Sequence, residues 1–286
     1  MEHKNQSNTR VKEFNICHGR LGSEELEAIW AEVQEAAAGI IKAEPQLKLL
    51  LTDVVMSRET MAHGLAARLA RKLAREDMQR NELEPLLLEI LTKNNALVRS
   101  AARDMQAIVD RDPACQSALE PLLFYKGFLA VTAYRVAHHL WLSDRKALAL
   151  YFQSISSEIF AVDIHPAAQI GCGILLDHAT SLVIGETSIV EDDVSILHEV
   201  TLGGTGKAVG DRHPIVRSGV LIGAGSKILG RVTIGECAKI GAGSVVLDDV
   251  SPHTTVAGVP AVIMGESDEE NPAMGMNQRL CKGGEA

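Results

Sequence analysis

Four histidines in the second half of the chain are candidates for chemistry. They are His165, His178, His198 and His213. Imidazole changes its protonation near neutral pH, so a positioned histidine can act as a general base or, when neutral, ligate a metal. His178 directly follows Asp177 and His213 directly follows Arg212, which gives each a charged neighbour. Taken singly, each histidine is more typical of a hydrogen-bonded surface residue, so the combination is what indicates a site.

A glycine-rich segment lies between these two pairs. Gly203, Gly204 and Gly206 precede Lys207. Glycines let backbone N–H groups approach a ligand closely, and a lysine adds a cation for an anionic group. The segment contains no G-x-x-x-x-G-K-[ST] pattern, so it is not a nucleotide P-loop. We therefore expect a ligand-binding loop over residues 203–218.

These residues interrupt a repeat of six. A period of six fits neither a helix nor a two-sided strand, but it is typical of a β-helix that buries one aliphatic side chain per flat face. The sequence predicts a two-residue slip after Leu176 and a break from Leu202 to Ile222. The repeat positions are Ile164, Ile170, Leu176, Ile184, Val190, Ile196, Leu202, Ile222, Ile228, Ile234, Ile240 and Val246.

Glycine follows the aliphatic residue in many repeats. We expect these glycines to supply a relaxed φ where the chain turns a corner. They are Gly171, Gly185, Gly203, Gly223, Gly235 and Gly241. The sequence thus predicts a β-helix domain over residues 161–264.

The first half of the chain reads as helical. Apolar residues recur at helical spacing from Ser23 to Phe160, in segments predicted at 23–44, 57–74, 82–97, 97–109, 119–142 and 145–160. We expect a mobile N-terminus at 1–20, an all-helical domain at 21–160 and a flexible, exposed C-terminal tail at 265–286.

Composition narrows the function classes. The net charge of −9 argues against nucleic acid as the main partner. The sequence has no apolar run long enough for a membrane span and no signal core near its first residue, so we expect a cytoplasmic protein. The five cysteines are scattered, without metal-ligand spacing, and are expected to be reduced thiols.

The motifs together resemble those of bacterial serine O-acetyltransferases. The hexapeptide repeat alone would indicate only a wider acyltransferase superfamily. The helical domain, RDPA and GDRHP narrow the resemblance to the serine enzyme. The segments that carry the resemblance are RDPA (111–114), PLLFYKGF (121–128), DIHPAA (163–168), LDHAT (176–180), VTLGGTGK (200–207), GDRHP (210–214), IGAGSKILG (222–230), KIGAGSVVL (239–247) and AGVPA (257–261).

This resemblance implies an α+β fold, a helical domain followed by a left-handed parallel β-helix with an extended loop. Acetyl would pass from acetyl-CoA, a co-substrate, to the hydroxyl of L-serine, as the first step of cysteine biosynthesis. L-cysteine would inhibit at the serine site, and no metal would be needed. Homotrimers with sites between subunits would pair into hexamers.

The resemblance also implies residue roles. His178 falls on the general base and Asp163 on the acid that orients it. Asp112 and Asp177 fall on groups that hold the serine ammonium, and Arg212 and His213 on groups that hold its carboxylate. The segments that line the CoA groove contain Gly204, Thr205, Lys207, Ala224 and Lys239. No cysteine or serine with its own base is evident, so direct attack is favoured over an acyl-enzyme.

Family members that dock into O-acetylserine sulfhydrylase usually finish in Ile, whereas this chain finishes in Ala286, so the resemblance leaves that partnership open. Two other enzymes fit parts of the pattern. A hexapeptide acetyltransferase for a sugar or xenobiotic would share His178 and the CoA groove. A zinc hydrase on the same solenoid would use His178, His198 and His213 from adjacent subunits. A purely structural scaffold would leave the broken repeat unexplained.

Overall fold

The computed structural model describes residues 21–206 and 209–280. The predicted mobile N-terminus (1–20), Lys207 and the last six residues of the predicted tail lie outside this part. The described chain is a helical domain followed directly by a parallel β-helix, in the order predicted.

The helical domain contains eight helices within the described residues. They are α1 (Ser23–Ala43), α2 (Lys48–Leu51), α3 (Met61–Leu73), α4 (Arg80–Lys93), α5 (Asn95–Arg111), α6 (Leu119–Phe124), α7 (Lys126–Leu142) and α8 (Lys146–Phe160). The single helix predicted over 119–142 is two helices, because Tyr125 is extended (φ −89°, ψ 106°). That break places Tyr125 and Lys126 at the edge of a cleft.

Helices α5 and α7 attach the helical domain to the first coil of the solenoid. Arg135 of α7 and Asp104 of α5 form a buried ion pair with 2.6 Å between Nη2 and Oδ2. The same guanidinium donates to the Gly171 carbonyl at 2.7 Å, and Asp104 Oδ1 accepts the Ile174 N–H at 2.8 Å. Because a buried charge is stabilised only when its hydrogen bonds are satisfied, this network fixes the orientation of the two domains.

The solenoid contributes one strand per coil to each of three sheets. Sheet 1 contains β1 (Val162–Ile164), β4 (Leu182–Ile184), β7 (Thr201–Gly203), β10 (Lys227–Leu229) and β13 (Val245–Val246). Sheet 2 contains β2 (Gln169–Ile170), β5 (Ile189–Val190), β8 (Ile215–Val216) and β11 (Thr233–Ile234). Sheet 3 contains β3 (Leu175–Leu176), β6 (Ser195–Ile196), β9 (Leu221–Ile222), β12 (Lys239–Ile240), β14 (Thr254–Gly258) and β15 (Ala261–Glu266).

The register of sheet 1 locates both departures from the repeat. Ile184 pairs with Leu202, 18 residues further along, whereas Ile164 pairs with Ile184, 20 residues further. The first coil therefore carries the predicted slip of two residues, between β3 and β4. Leu202 pairs with Ile228, 26 residues further, so the coil after β7 carries eight extra residues.

All twelve predicted repeat positions are buried, which confirms the period of six. The predicted end of the break at Ile222 is wrong, because Val216 is fully buried and pairs with Val190 and Ile234. Val216 is followed by Arg217 rather than glycine, so the sequence pattern did not reveal it. The insertion thus lies between Gly203 and Ile215.

The expected role of the repeat glycines is also wrong. None of the six has a φ in the left-handed region, which is found instead at corner residues such as Gly173 (φ 69°) and Gly243 (φ 70°). A Cβ on Gly171 would lie 2.3 Å from Asp192 Oδ1, and one on Gly223 would lie 2.6 Å from the Ala242 nitrogen. Glycine is required there because the next coil passes too close for any side chain.

The C-terminal segment differs from the exposed tail that we expected from Gly265. Strand β15 pairs antiparallel with β14, and a short helix α9 (Pro272–Gly275) packs on sheet 3. Ala273 is fully buried; its N–H donates to the Gly219 carbonyl at 3.2 Å, and its own carbonyl accepts from Ser195 Oγ at 2.9 Å. The acidic, aperiodic sequence gave no sign of these contacts because they are made by a few small residues.

The described cysteines differ in their oxidation state. Cys115 and Cys237 are free and buried, but Cys172 is disulfide-bonded, so the prediction of five reduced thiols is wrong for it. Scattered spacing cannot reveal a pairing that the fold creates.

In the described chain, no helix combines the length and apolar character needed to cross a membrane.

Candidate active site

A cleft of about 1060 Å³ opens between the helical domain, the first corner of the solenoid and the C-terminal segment. The end of α5, the α6–α7 junction and the turn after β3 form three of its walls. Its lining includes Asp112, Cys115, Tyr125, Lys126, Asp177, His178, Met274, Met276 and Gln278. The cleft therefore brings together the predicted base and both predicted ammonium-binding carboxylates.

The corner that carries His178 has an unusual backbone. His178, Ala179 and Ser181 have φ values of 55°, 57° and 59°, in the left-handed region that non-glycine residues seldom adopt. Such conformations concentrate at functional sites. The two extra residues of this coil turn the imidazole outward, and its side chain is 74% exposed. The ring contacts the His198 ring edge-on, with centroids 5.8 Å apart, and its Nε2 lies 3.7 Å from Asp177 Oδ1.

Two carboxylates face this cleft. Burial raises the pKa of Asp177, and the nearby Asp112 carboxylate raises the pKa further against the opposing effect of His178. Asp112 Oδ1 accepts the Ala114 N–H at 2.9 Å. The preceding residue, Arg111, is buried and donates to the Gly173 carbonyl and to Asp193, each at 3.0 Å. These contacts fix the end of α5 and, with it, Asp112. Together, Asp112 and Asp177 give the cleft two carboxylates that suit a cation.

Asp163 does not contact His178 in this structure. It lies on β1 opposite Val183, and its Oδ1 accepts a hydrogen bond from Gln153 at 2.6 Å. Within residues 21–206 and 209–280, no hydrogen bond or ion pair joins Asp163 to His178, and the acid beside the imidazole is Asp177.

Arg212 and His213 form a second cluster at a different corner. Arg212 Nη2 lies 2.6 Å from Glu186 Oε2. His213 is only 8% exposed and its Nδ1 lies 2.9 Å from Thr187 Oγ1. Burial lowers the pKa of His213, and the adjacent Arg212 lowers it further. His165 packs edge-on against Trp141, and burial lowers its pKa.

The two clusters lie at opposite ends of the strands of sheet 1, which we call its opposite edges. The His178 corner precedes β4, whereas Glu186 lies on the turn after β4 and Arg212 on the turn after β7. Among the described residues, no hydrogen bond, ion pair or ring contact joins Arg212 or His213 to Asp112, Asp177 or His178. A single chain thus presents two halves of the predicted site, facing apart.

The chain was compared with known proteins. The family described as "Serine acetyltransferase, N-terminal" matches residues 29–133, and "Bacterial transferase hexapeptide (six repeats)" matches residues 213–248. A serine acetyltransferase from Salmonella typhimurium is 49% identical over 257 residues, which cover 90% of this chain and 94% of the relative. The chain belongs to the serine acetyltransferase family. Its enzyme class is that of a serine O-acetyltransferase, as the sequence predicted.

Solved structures of the family share the fold. Serine acetyltransferase from Vibrio cholerae superposes with a TM-score of 0.87 at 48% identity, covering 88% of this chain and 98% of that one. This likeness confirms the predicted left-handed β-helix. A Brucella abortus serine acetyltransferase in complex with coenzyme A has a TM-score of 0.84 at 46% identity, covering 86% and 99%. A serine acetyltransferase in complex with cysteine has a TM-score of 0.87 at 47% identity, covering 89% and 99%.

The residues predicted to line a CoA groove are spread along the solenoid. Because Leu176, Ile196 and Ile222 stack in register, His178, His198 and Ala224 occupy one corner of successive coils. Gly204 lies beside Arg212 and Thr205 beside Gly230. Lys239 is buried, with Nζ 3.5 Å from Asp268 Oδ1, so the C-terminal segment covers it. Lys207 lies outside the described residues.

Several site residues were not predicted. Tyr125 and Lys126 line the cleft because α6 and α7 are separate helices, and Lys126 Nζ donates to Thr180 Oγ1 at the His178 corner. Glu186 and Thr187 hold the Arg212 loop. Their sequence, Gly-Glu-Thr, resembles any other solenoid corner, so the sequence held no signal for them.

The zinc alternative takes its three histidines from adjacent subunits, so the geometry of one chain does not test it. In the described parts of the chain, no group of three or more His, Cys, Asp and Glu side chains is arranged to hold a metal ion. His178 and His198 are neighbours, but His213 belongs to the other cluster.

Proposed function

We propose that the chain transfers acetyl from acetyl-CoA directly to the hydroxyl of L-serine, with His178 as general base, in a site completed by a second copy of the chain. The observation that carries this proposal is the division of the site residues between opposite edges of sheet 1. The cleft at one edge contains Asp177 and His178 together with Asp112 from the end of α5, and the turns at the other edge carry Arg212 and His213.

The two carboxylates suit the serine ammonium. Charge-assisted hydrogen bonds to carboxylates are short and roughly twice as strong as neutral ones. Asp112 is held by the α5 end, and the backbone of Asp177 is held by the corner, so both carboxylates stay beside the cleft. A serine anchored there would present its hydroxyl to the adjacent His178.

His178 is suited to remove the hydroxyl proton. A serine hydroxyl is a poor nucleophile at neutral pH, and a positioned base contributes about 10²–10⁴-fold to the rate. Asp177, which lies beside the ring now, would turn to the ammonium when serine binds. Asp163 on the neighbouring strand β1 would then orient the imidazole and stabilise the imidazolium, as the acid does in other His-based sites.

Direct transfer fits the cleft better than an acyl-enzyme. Cys115 is the thiol that lines it, but burial raises the pKa of that thiol, and its S–H faces the Ser117 carbonyl at 3.5 Å. The thiolate is the nucleophilic form, so a raised pKa makes Cys115 a poor acceptor of acetyl.

Acetyl-CoA would lie along the corner below His178, past His198 and Ala224. The relative solved with coenzyme A supports this co-substrate. Gly204, Thr205 and Lys207 on the inserted loop, and Lys239 once the C-terminal segment uncovers it, would contact the cofactor. Backbone N–H groups near Gly203–Gly206 would stabilise the oxyanion of the tetrahedral intermediate.

L-cysteine would inhibit at the serine site. It offers the same ammonium and carboxylate, and its thiol is only slightly larger than the hydroxyl, so the pocket cannot reject it strongly on size. The relative solved with cysteine supports this binding.

The test is thiol release from acetyl-CoA by the full chain, with L-serine compared against sugars and other amino acids. The proposal expects selective turnover with L-serine and intersecting double-reciprocal plots, because both substrates must be bound together. Faster turnover with a sugar, or parallel plots with an acetylated protein, would contradict it.

A further inference from the structure

The corner after β4 carries Gly185, Glu186 and Thr187, which hold the Arg212–His213 pair across 25 and 26 residues of sequence. Thr187 Oγ1 accepts the backbone N–H of Arg212 at 3.0 Å and that of His213 at 3.1 Å. Glu186 Oε2 accepts from Arg212 Nη2 at 2.6 Å. Backbone and guanidinium are therefore both fixed from one corner.

The same threonine determines the tautomer of His213. Its backbone N–H donates to His213 Nδ1 at 3.1 Å, and its hydroxyl lies 2.9 Å from that nitrogen. Because Nδ1 accepts these donors, the proton of the neutral imidazole lies on Nε2. An Nε2–H is a donor, which is the form that a carboxylate ligand requires.

Close packing keeps this ring in place. A Cβ on Gly185 would lie 2.1 Å from both Cδ2 and Nε2 of His213, so the ring lies directly against the glycine backbone. Arg231 Nη1 donates to the carbonyls of Thr187 and His213, at 2.8 and 3.0 Å, and ties the two turns together. Contact with Gly185 and the Arg231 bonds therefore hold the ring and its turn together.

We infer that Glu186 and Thr187 are positioning residues for substrate carboxylate recognition, with Glu186 directing the Arg212 guanidinium and the Thr187 hydroxyl fixing the backbone of Arg212 and His213. This inference rests on the proposed function, in which Arg212 and His213 bind the carboxylate of an amino acid. The corner touches no reacting atom, so its contribution is to binding and not to the chemical step.

The decisive pair of variants is Thr187→Val, which keeps the shape and removes the hydroxyl, and Thr187→Ser, which keeps the hydroxyl. Thr187→Val should raise the KM for L-serine about tenfold with kcat within about twofold, because the lost interaction acts equally in ground and transition states. Thr187→Ser should restore the KM to within about twofold of the parent chain. The KM for acetyl-CoA should be unchanged in both.

L-serinamide, which replaces the carboxylate with a neutral amide, separates positioning from general damage. The kcat/KM for L-serinamide should be equal, within about twofold, in the parent chain and Thr187→Val, because that substrate has no carboxylate to lose. An equal loss with both substrates, or an unchanged KM for L-serine, would overturn the inference while the parent chain still acetylates serine. A parent chain inactive with L-serine would instead overturn the proposed function itself.

Discussion

The two corners at opposite edges of sheet 1 are built in opposite ways. The His178 corner has three residues in the left-handed region, and its imidazole is 74% exposed. The Arg212–His213 loop is longer by eight residues, yet His213 is 8% exposed and both residues are tied to Thr187. A general base must be accessible to its substrate, whereas groups that recognise a fixed anion bind best when pre-organised. The contrast is what the proposed function expects if proton transfer takes place at His178 and carboxylate binding at the Arg212 loop.

The largest expected effect comes from the exposed corner. His178→Ala should lower kcat by about 10²–10⁴-fold, the contribution of a general base, and leave the Kd for CoA within about twofold. Steady-state kinetics and calorimetry with CoA measure the two quantities. His63→Ala serves as the matched control, since His63 lies on α3 and contacts Thr60 outside the cleft. If His178→Ala kept most of its turnover, His178 would not be the general base.

Substitutions of Asp163 and Asp177 should affect different kinetic constants. Asp163→Asn should lower kcat by about 10²-fold, toward the lower end of a general base's contribution, with little change in the KM for serine. Asp177→Asn should do the reverse and mainly raise that KM. If Asp163→Asn matched the parent chain and Asp177→Asn lost its turnover instead, Asp177 would be the orienting acid.

Binding of both amino acids should depend on the α5 end of the cleft. Asp112→Ala should raise the KM for L-serine and the Ki for L-cysteine by about tenfold each, the size expected for one charge-assisted bond. Inhibition by cysteine should be competitive with serine. Inhibition that no serine concentration relieves, and that Asp112→Ala leaves unaltered, would place the inhibitor elsewhere.

The smallest effect concerns pH. Burial raises the pKa of Asp177, so this carboxylate becomes protonated at a higher pH than an ordinary aspartate as the solution is acidified. The KM for serine should therefore rise as pH falls through the raised pKa, and this rise should disappear in Asp177→Asn. Separate profiles of KM and kcat against pH measure this, because protonation of the His178 base lowers kcat in both chains. An unaltered rise of the KM in the variant would assign it to another group.

Sequence patterns located the solenoid and the corner that carries His178 better than the contacts that hold the Arg212 loop. Inward aliphatics repeat because each coil buries one on each face, so Ile164 to Val246 could be located without coordinates. His178 was found because its coil slips by two residues. Thr187 could not be found, because its role arises only when β5 and β8 pair and bring the Arg212 loop against it. The contact between Ala273 and Ser195 likewise joins residues that are far apart in sequence, so no local pattern predicts it.

The central claim is that one active site joins the His178 cleft of one copy to the Arg212 loop of another. Mixed oligomers of His178→Ala and Arg212→Ala chains test it, because some of their sites would combine an intact cleft with an intact loop. The matched control mixes His178→Ala with the double variant His178→Ala/Arg212→Ala, so that every cleft in the mixture lacks the imidazole. The account predicts that serine acetylation returns in the first mixture and not in the second. With mixed oligomers demonstrated by native mass spectrometry, equal inactivity of both mixtures would contradict the claim.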